Sequence, residues 1–174
     1  MYSVDERDRV QGWSLPPRPC TGGPCPELFA SEELLALAYY VDERDADRYP
    51  DARPIEGVEG DDLVAVLTFA GGCYAHRFGP PNDEAFEGHP LAARGLESCA
   101  SHEVVDSSWI RALERMNAVH DHHDPELFLN GLRHFVLAAH DSTFECVVQR
   151  EPTVQVFDAT PWSALLHVVQ GARQ

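Results

Sequence analysis

The sequence predicts an α+β fold: an antiparallel sheet or small barrel built from hairpins, with two or three helices packed on it. Three observations carry this reading. Apolar β-prone runs sit beside short turn signals, helical periodicity is confined to a few inserted segments, and no repeat or low-complexity tract interrupts the pattern. A doubly wound parallel sheet needs strand and helix in regular alternation, so it is disfavoured.

Residues 1–27 are charged at first and then rich in proline and glycine. Such a composition buries too little apolar surface to order itself, so a flexible N-terminal arm is expected, followed by a single α+β domain over 28–174. "SEELLALAYYV" reads either as a short helix capped by Ser31 or as a buried strand, and the strand over 34–41 is preferred. "YPDARPIEGVEGDD" has the prolines, glycines and carboxylates of a loop. In "DLVAVLTFAGGCYAHRFG" two β-prone runs flank Gly71-Gly72, the pair a type I′ turn favours, so a hairpin is expected with Leu67 opposite His76.

"PPNDEAFEGHPLAARGLES" reads as a long structured loop with a helical turn near 90–95, and "SHEVVD" as a short strand. "SSWIRALERMNAVH" spaces Ile110, Leu113 and Met116 at helical intervals, with Asp106, Ser107 or Ser108 as the cap. Asp124 and Pro125 start a short second helix that ends near Gly131. "RHFVLAAHDSTFECVVQR" then reads as a hairpin turning at Asp141-Ser142, "TVQVFD" as a strand, and "PWSALLHVVQ" as a last helix between Pro161 and Gly171.

At 174 residues the chain is long enough to bury roughly two-thirds of its unfolded surface without disulfide or metal support. Its 29 acidic residues against 13 basic ones, all arginine, give −16, which repels nucleic acid and anionic membranes. The arginine bias fits a GC-rich bacterial coding sequence. No run approaches the roughly 18 apolar residues of a membrane span, and "MYSVDERDRV" is charged where a signal peptide needs an apolar core, so a cytoplasmic location is expected. Five unevenly spaced cysteines read as reduced thiols; Cys20 and Cys25 read as incidental members of a linker, with a metal-binding pair or a surface disulfide as the alternative.

The chemistry concentrates around the last hairpin. With the turn at Asp141-Ser142, one face carries His134, Val136, His140, Glu145 and Val147, and the other Phe135, Leu137, Phe144, Cys146 and Val148. The second face is core; the first, apolar with a few converging polar groups, has the composition of a pocket wall. Eight of nine histidines fall between 76 and 140, and imidazoles with a carboxylate suit a divalent transition metal such as iron, zinc, manganese or nickel. His76, His89, His140 and Glu145 are the expected ligands, with His89 on the long loop closing over the strands. Glu103 and Asp141 are the candidate acid–base carboxylates, and Arg94 and Trp109 the candidate substrate contacts, Arg94 suiting a carboxylate or phosphate.

No H-E-x-x-H or H-x-H motif supports a dense ligand signature, and a cupin assignment fails for want of the latter. "HDHHD" reads as a solvated helix–loop junction, and Cys146 as a small core hydrophobe rather than a nucleophile. "FGPPNDEAFEGHPL", "SSWIRALERMN" and "RHFVLAAHDSTFEC" resemble segments of an uncharacterised group of small bacterial proteins. That resemblance implies no activity and transfers no site residue. Two functions are therefore expected: a small metal-dependent enzyme acting on an organic metabolite, or a non-catalytic domain that binds a small ligand or a protein partner, including a second copy of itself.

Overall fold

The structure, a computed structural model, describes residues 2–56, 58, 60, 62–71 and 73–172. Along the chain come β1 (Arg9–Gly12), β2 (Glu27–Ala30), β3 (Leu34–Tyr40), α1 (Glu43–Ala46), β4 (Arg53–Pro54), β5 (Leu63–Ala70) and β6 (Cys73–Gly79). Then follow β7 (Ala100–Val105), α2 (Ser108–Asn117), α3 (Pro125–Asn130), β8 (Arg133–Ala138), β9 (Thr143–Val148), β10 (Thr153–Asp158) and α4 (Pro161–Gly171). The strands form two five-stranded sheets, ordered β1-β7-β8-β9-β6 and β2-β3-β5-β10-β4. All pairings are antiparallel except the short parallel contact of β10 with β4.

The sheets share one core. Leu35, Leu37 and Tyr39 of β3 and Leu67 and Phe69 of β5 pack against Phe135, Leu137, Phe144 and Cys146 of β8 and β9. Alternate residues of β3 and β5, Ala36, Ala38, Val64 and Val66, meet Leu165 and Val168 of α4 on the far side. A strand covered on both faces has no reason to alternate, which is why these two read as continuous apolar runs. The far face of the first sheet is covered by α2 and by residues 86–96, where Phe86, Leu91 and Leu96 pack on Val104, Val136 and Ala138. Helices thus flank a pair of sheets, the α+β class expected, and the sheets do not close into a barrel.

The expected β5–β6 hairpin is absent among the described residues. β5 pairs with β3 and β10, Leu67 lying opposite Leu37 and Val154, while β6 pairs with β9 and sets His76 opposite Cys146. β5 is buried on both faces and needs a partner on each edge, whereas β6, alternately exposed, is an edge strand. The chain therefore crosses between sheets at Gly71, whose φ of 83° only glycine adopts freely. The Gly72 half of the expected turn lies outside the described residues.

The β8–β9 hairpin forms, two positions out of the expected register: Ala138 pairs with Thr143 and Val136 with Glu145. Neither Asp141 nor Ser142 takes the positive φ of a two-residue turn, so residues 139–142 make a longer loop closed by Ala139 N–H to Ser142 O at 2.9 Å. A shift of two keeps every side chain on its expected face but moves His140 off the strand.

The segment expected to be a flexible arm carries β1, which pairs with the edge of β7 from Arg9 opposite Val105 to Gly12 opposite His102. Trp13 follows and stacks on Phe135 in the shared core, ring centroids 4.1 Å apart. Composition argued against order because it weighed this segment alone. The apolar side chains it needs to meet, and the edge backbone groups it satisfies, belong to elements far along the chain.

Leu67→Ala, at a fully buried position, is expected to cost about 2–5 kcal/mol of unfolding free energy. Val119→Ala, 87% exposed, should stay within about 0.5 kcal/mol. Urea denaturation followed by tryptophan fluorescence measures both.

Candidate functional site

Glu145 of β9 points away from the shared core, on the face that α2 and residues 86–96 cover. It is 1% exposed, so its carboxylate needs partners inside the protein. Register supplies two of them. Arg77 lies opposite on β6, its Nη1 3.3 Å from Oε1. His134, two residues before Val136 on β8, shares the face and places Nε2 3.3 Å from Oε2. His89, carried in by the 86–88 turn, places its Nε2 3.3 Å from Oε1. Tyr2 brings its hydroxyl 2.5 Å from Oε2.

The protonation pattern follows from the outer partners. The Leu91 backbone N–H donates to His89 Nδ1 at 3.1 Å, so in the neutral ring the proton sits on Nε2, facing Glu145. Ser107 Oγ caps α2 by accepting from the N–H groups of Trp109 and Ile110, at 3.2 and 3.3 Å. Its own proton is then free for His134 Nδ1, 2.8 Å away, which again leaves the ring proton on Nε2. Both imidazoles, the phenol and the guanidinium therefore donate to one carboxylate.

Burial alone would push the Glu145 carboxyl up; the hydrogen bonds from His134, His89 and Tyr2 outweigh it and hold the group well below the usual carboxylate range. Burial first, and the Glu145 charge second, push the Tyr2 phenol far above its ordinary value. The Tyr2 ring stacks on Trp109, centroids 5.1 Å apart and planes 11° apart, and meets the His134 ring edge-on at 5.6 Å. The strand of chain behind it is tied to the start of α2, where Asp8 accepts from Ser108 N–H at 2.6 Å.

Of the expected metal ligands, His89 and Glu145 meet and the other two lie elsewhere. His76 is exposed on the edge strand, its Nδ1 4.0 Å from Cys73 Sγ. His140 sits in the β8–β9 loop, its Nδ1 2.8 Å from Asp83 Oδ2, a hydrogen bond that raises its pKa. Among the described residues no three histidine, cysteine, aspartate or glutamate side chains are grouped to hold a metal ion. The donor chemistry gives the reason. Ligation through Nε2 requires the proton on Nδ1, where His89 would set it against the Leu91 N–H.

Asp141 accepts from the Cys25 N–H at 2.9 Å, away from Glu145. Glu103, on β7 between β1 and β8, is gripped by Arg133 at 2.7 and 2.9 Å, which with Gln11 lowers its pKa, and it lies apart from Glu145. Arg94 is exposed at the end of the 92–94 turn. Trp109, by contrast, is part of the site. The residues that sequence reasoning did not select are His134, Arg77, Ser107 and Tyr2. Period-two alternation does place His134 beside Glu145, and Ser107 is legible as a cap, but nothing in the sequence connects Tyr2 or Arg77 to them. No family model matches this chain, and no curated protein or solved structure is significantly similar to it.

Glu145→Gln is expected to lower the unfolding free energy by about 3–5 kcal/mol at pH 7, because the donors lose their anion. A carboxyl depressed in the folded state contributes stability above its unfolded pKa, near 4.5, and loses it as pH falls towards the folded value. The gap between wild type and variant should therefore narrow below about pH 4.5, which denaturation series at pH 7 and in acid would reveal; a constant gap would contradict an ionised Glu145. For His140, Asp83→Asn should bring the imidazole back towards 6.5, read by NMR titration.

Proposed function

We propose that this chain is a small-ligand-binding protein whose centre is the slot between Trp109 and the Glu145 carboxylate, and that the group it recognises is an aromatic hydroxyl. The observation that carries the reading is the way Tyr2 lies there, ring flat on Trp109 and O–H on Glu145. An indole face offers a planar apolar wall worth about 0.5–1.5 kcal/mol to a stacked ring. An ionised acceptor adds about 1.5–3 kcal/mol for a single hydroxyl. Few polar groups converging on one point of an apolar slot is the usual composition of a ligand site.

Binding is favoured over acid–base catalysis because a carboxyl held below its usual range is a weak proton acceptor at neutral pH. It is favoured over a metal centre because both imidazoles present protons, not lone pairs, to the middle of the site. In this reading Tyr2 is the intramolecular competitor of the external ligand. An incoming phenol displaces it, and the apparent affinity is reduced by the fraction of chains in which the slot is closed.

The test uses p-cresol, the free equivalent of the Tyr2 side chain, with toluene as the hydroxyl-free control. Tyr2→Ala is expected to bind p-cresol at least about tenfold more tightly than wild type, since the competitor is gone. Wild type should still bind it, with loss of the Tyr2–Trp109 NMR contacts. Equal binding of toluene and p-cresol, or no displacement of Tyr2 from wild type at any concentration, would show that the slot is only a structural anchor.

A further inference from the structure

Among the described residues, the segment 2–7 that covers the Tyr2 slot makes no backbone hydrogen bond to anything beyond Asp8. Side chains alone hold it down. Tyr2 lies on Trp109 and Glu145, Val4 packs against the cluster that contains Phe86 and Leu91, and Asp5 Oδ2 sits 2.7 Å from Arg111 Nη2. None of residues 2–7 is fully buried, whereas Asp8 is. A segment without a hydrogen-bonded ladder and with few buried contacts is among the first to open locally.

The root of this segment is fixed. Asp8 Oδ1 accepts from the Ser108 N–H at 2.6 Å and Oδ2 from the Asp5 N–H at 2.7 Å, so its carboxylate rests on the positive end of α2. β1 begins at the next residue, and a movement of residues 2–7 therefore turns about Asp8.

Opening strands no charge. When Tyr2 leaves, Glu145 keeps Arg77, His89 and His134 as donors. When Asp5 leaves, Arg111 keeps the Asp106 carbonyl and has Asp8 Oδ2 4.0 Å away. The large cost of a buried ion without a partner is thus avoided at both ends. The Arg7 backbone N–H first, with the Arg111 guanidinium, outweighs burial and holds the Asp5 carboxyl down to about 2, so the contact is ionic throughout the neutral range.

We infer that the Asp5–Arg111 pair is a clasp that regulates the slot: it holds residues 2–7 shut as a strap swinging on Asp8, and weakening it admits ligand. This inference rests on the reading of the slot as a ligand site. A ligand that enters only the open state binds with an apparent affinity proportional to the open fraction. The Asp5 side chain is 42% exposed, so the pair is open to screening and the strap loosens as ionic strength rises.

Tyr2 reports on opening without any ligand, because N-acetylimidazole acetylates a phenol only when it reaches solvent. Tyr74, at 43% exposure, is the internal reference, and peptide mass analysis gives the rate at each. Asp5→Asn is expected to raise both the Tyr2 acetylation rate and the p-cresol affinity about two- to fivefold, the range of an exposed ion pair. Glu6→Gln makes the same change of charge one residue away, at an exposed position with no ion pair among the described residues, and should move neither. Raising sodium chloride from ~20 to ~300 mM should act on wild type as Asp5→Asn does, and have little effect on that variant. Tyr2 acetylated as slowly in Asp5→Asn as in wild type, or as fast in Glu6→Gln, would overturn the clasp. A faster Tyr2 with p-cresol affinity unchanged would instead overturn the ligand site that the clasp is held to govern.

Discussion

A carboxylate enclosed away from water is the constraint around which this molecule is arranged. Leaving Glu145 without partners would cost several kcal/mol, and no single neighbouring segment can supply enough donors. They come instead from β6, from β8, from the loop carrying His89 and from Tyr2, the last separated from Glu145 by 143 positions. Satisfying one side chain therefore fixes the register of the β6–β9 pair, the approach of the 86–96 segment and the docking of the first residues on α2. Ser107 links the local and tertiary levels. The same oxygen that caps a helix sets the tautomer of His134 and so decides which way the imidazole proton points.

The sheets provide the rigid platform. Phe135, Leu137, Phe144 and Cys146 face inward while His134, Val136 and Glu145 face outward, so the apolar side of the β8–β9 hairpin holds the polar side in place. Rotamers locked by packing beneath a site give it positional accuracy that a loop alone does not. The outer face is sealed by helix and loop, which lowers the local dielectric and strengthens each hydrogen bond to the carboxylate.

Much of the architecture was legible because the relevant signals are local. The strands around 34–41 and 100–105, the caps Ser107 and Asp124, Pro125 and Pro161 at first helical turns, and the two faces of the β8–β9 hairpin all follow from short-range sterics and alternation. What failed was partner choice. Gly71-Gly72 between two β-prone runs is a good local hairpin signal, yet burial of β5 on both faces required β3 and β10 as neighbours. The expected ligand set split for a related reason. His76 followed the misplaced hairpin to an exposed edge, and a two-residue longer loop carried His140 to Asp83.

By itself, then, the sequence determined the class of fold, the acidic character of the surface, the position of most strands and helices, and the fact that His134 and Glu145 share one face of a hairpin. Only the tertiary structure decided that β5 and β6 belong to different sheets, that the first residues return to cover the outer face, and that His89, His134, Arg77 and Tyr2 converge on Glu145. The division has a physical cause. Turns, caps and alternation are set by neighbours a few residues away, whereas which strand pairs with which, and who satisfies a buried charge, is settled by global competition for burial among segments that the chain order does not rank.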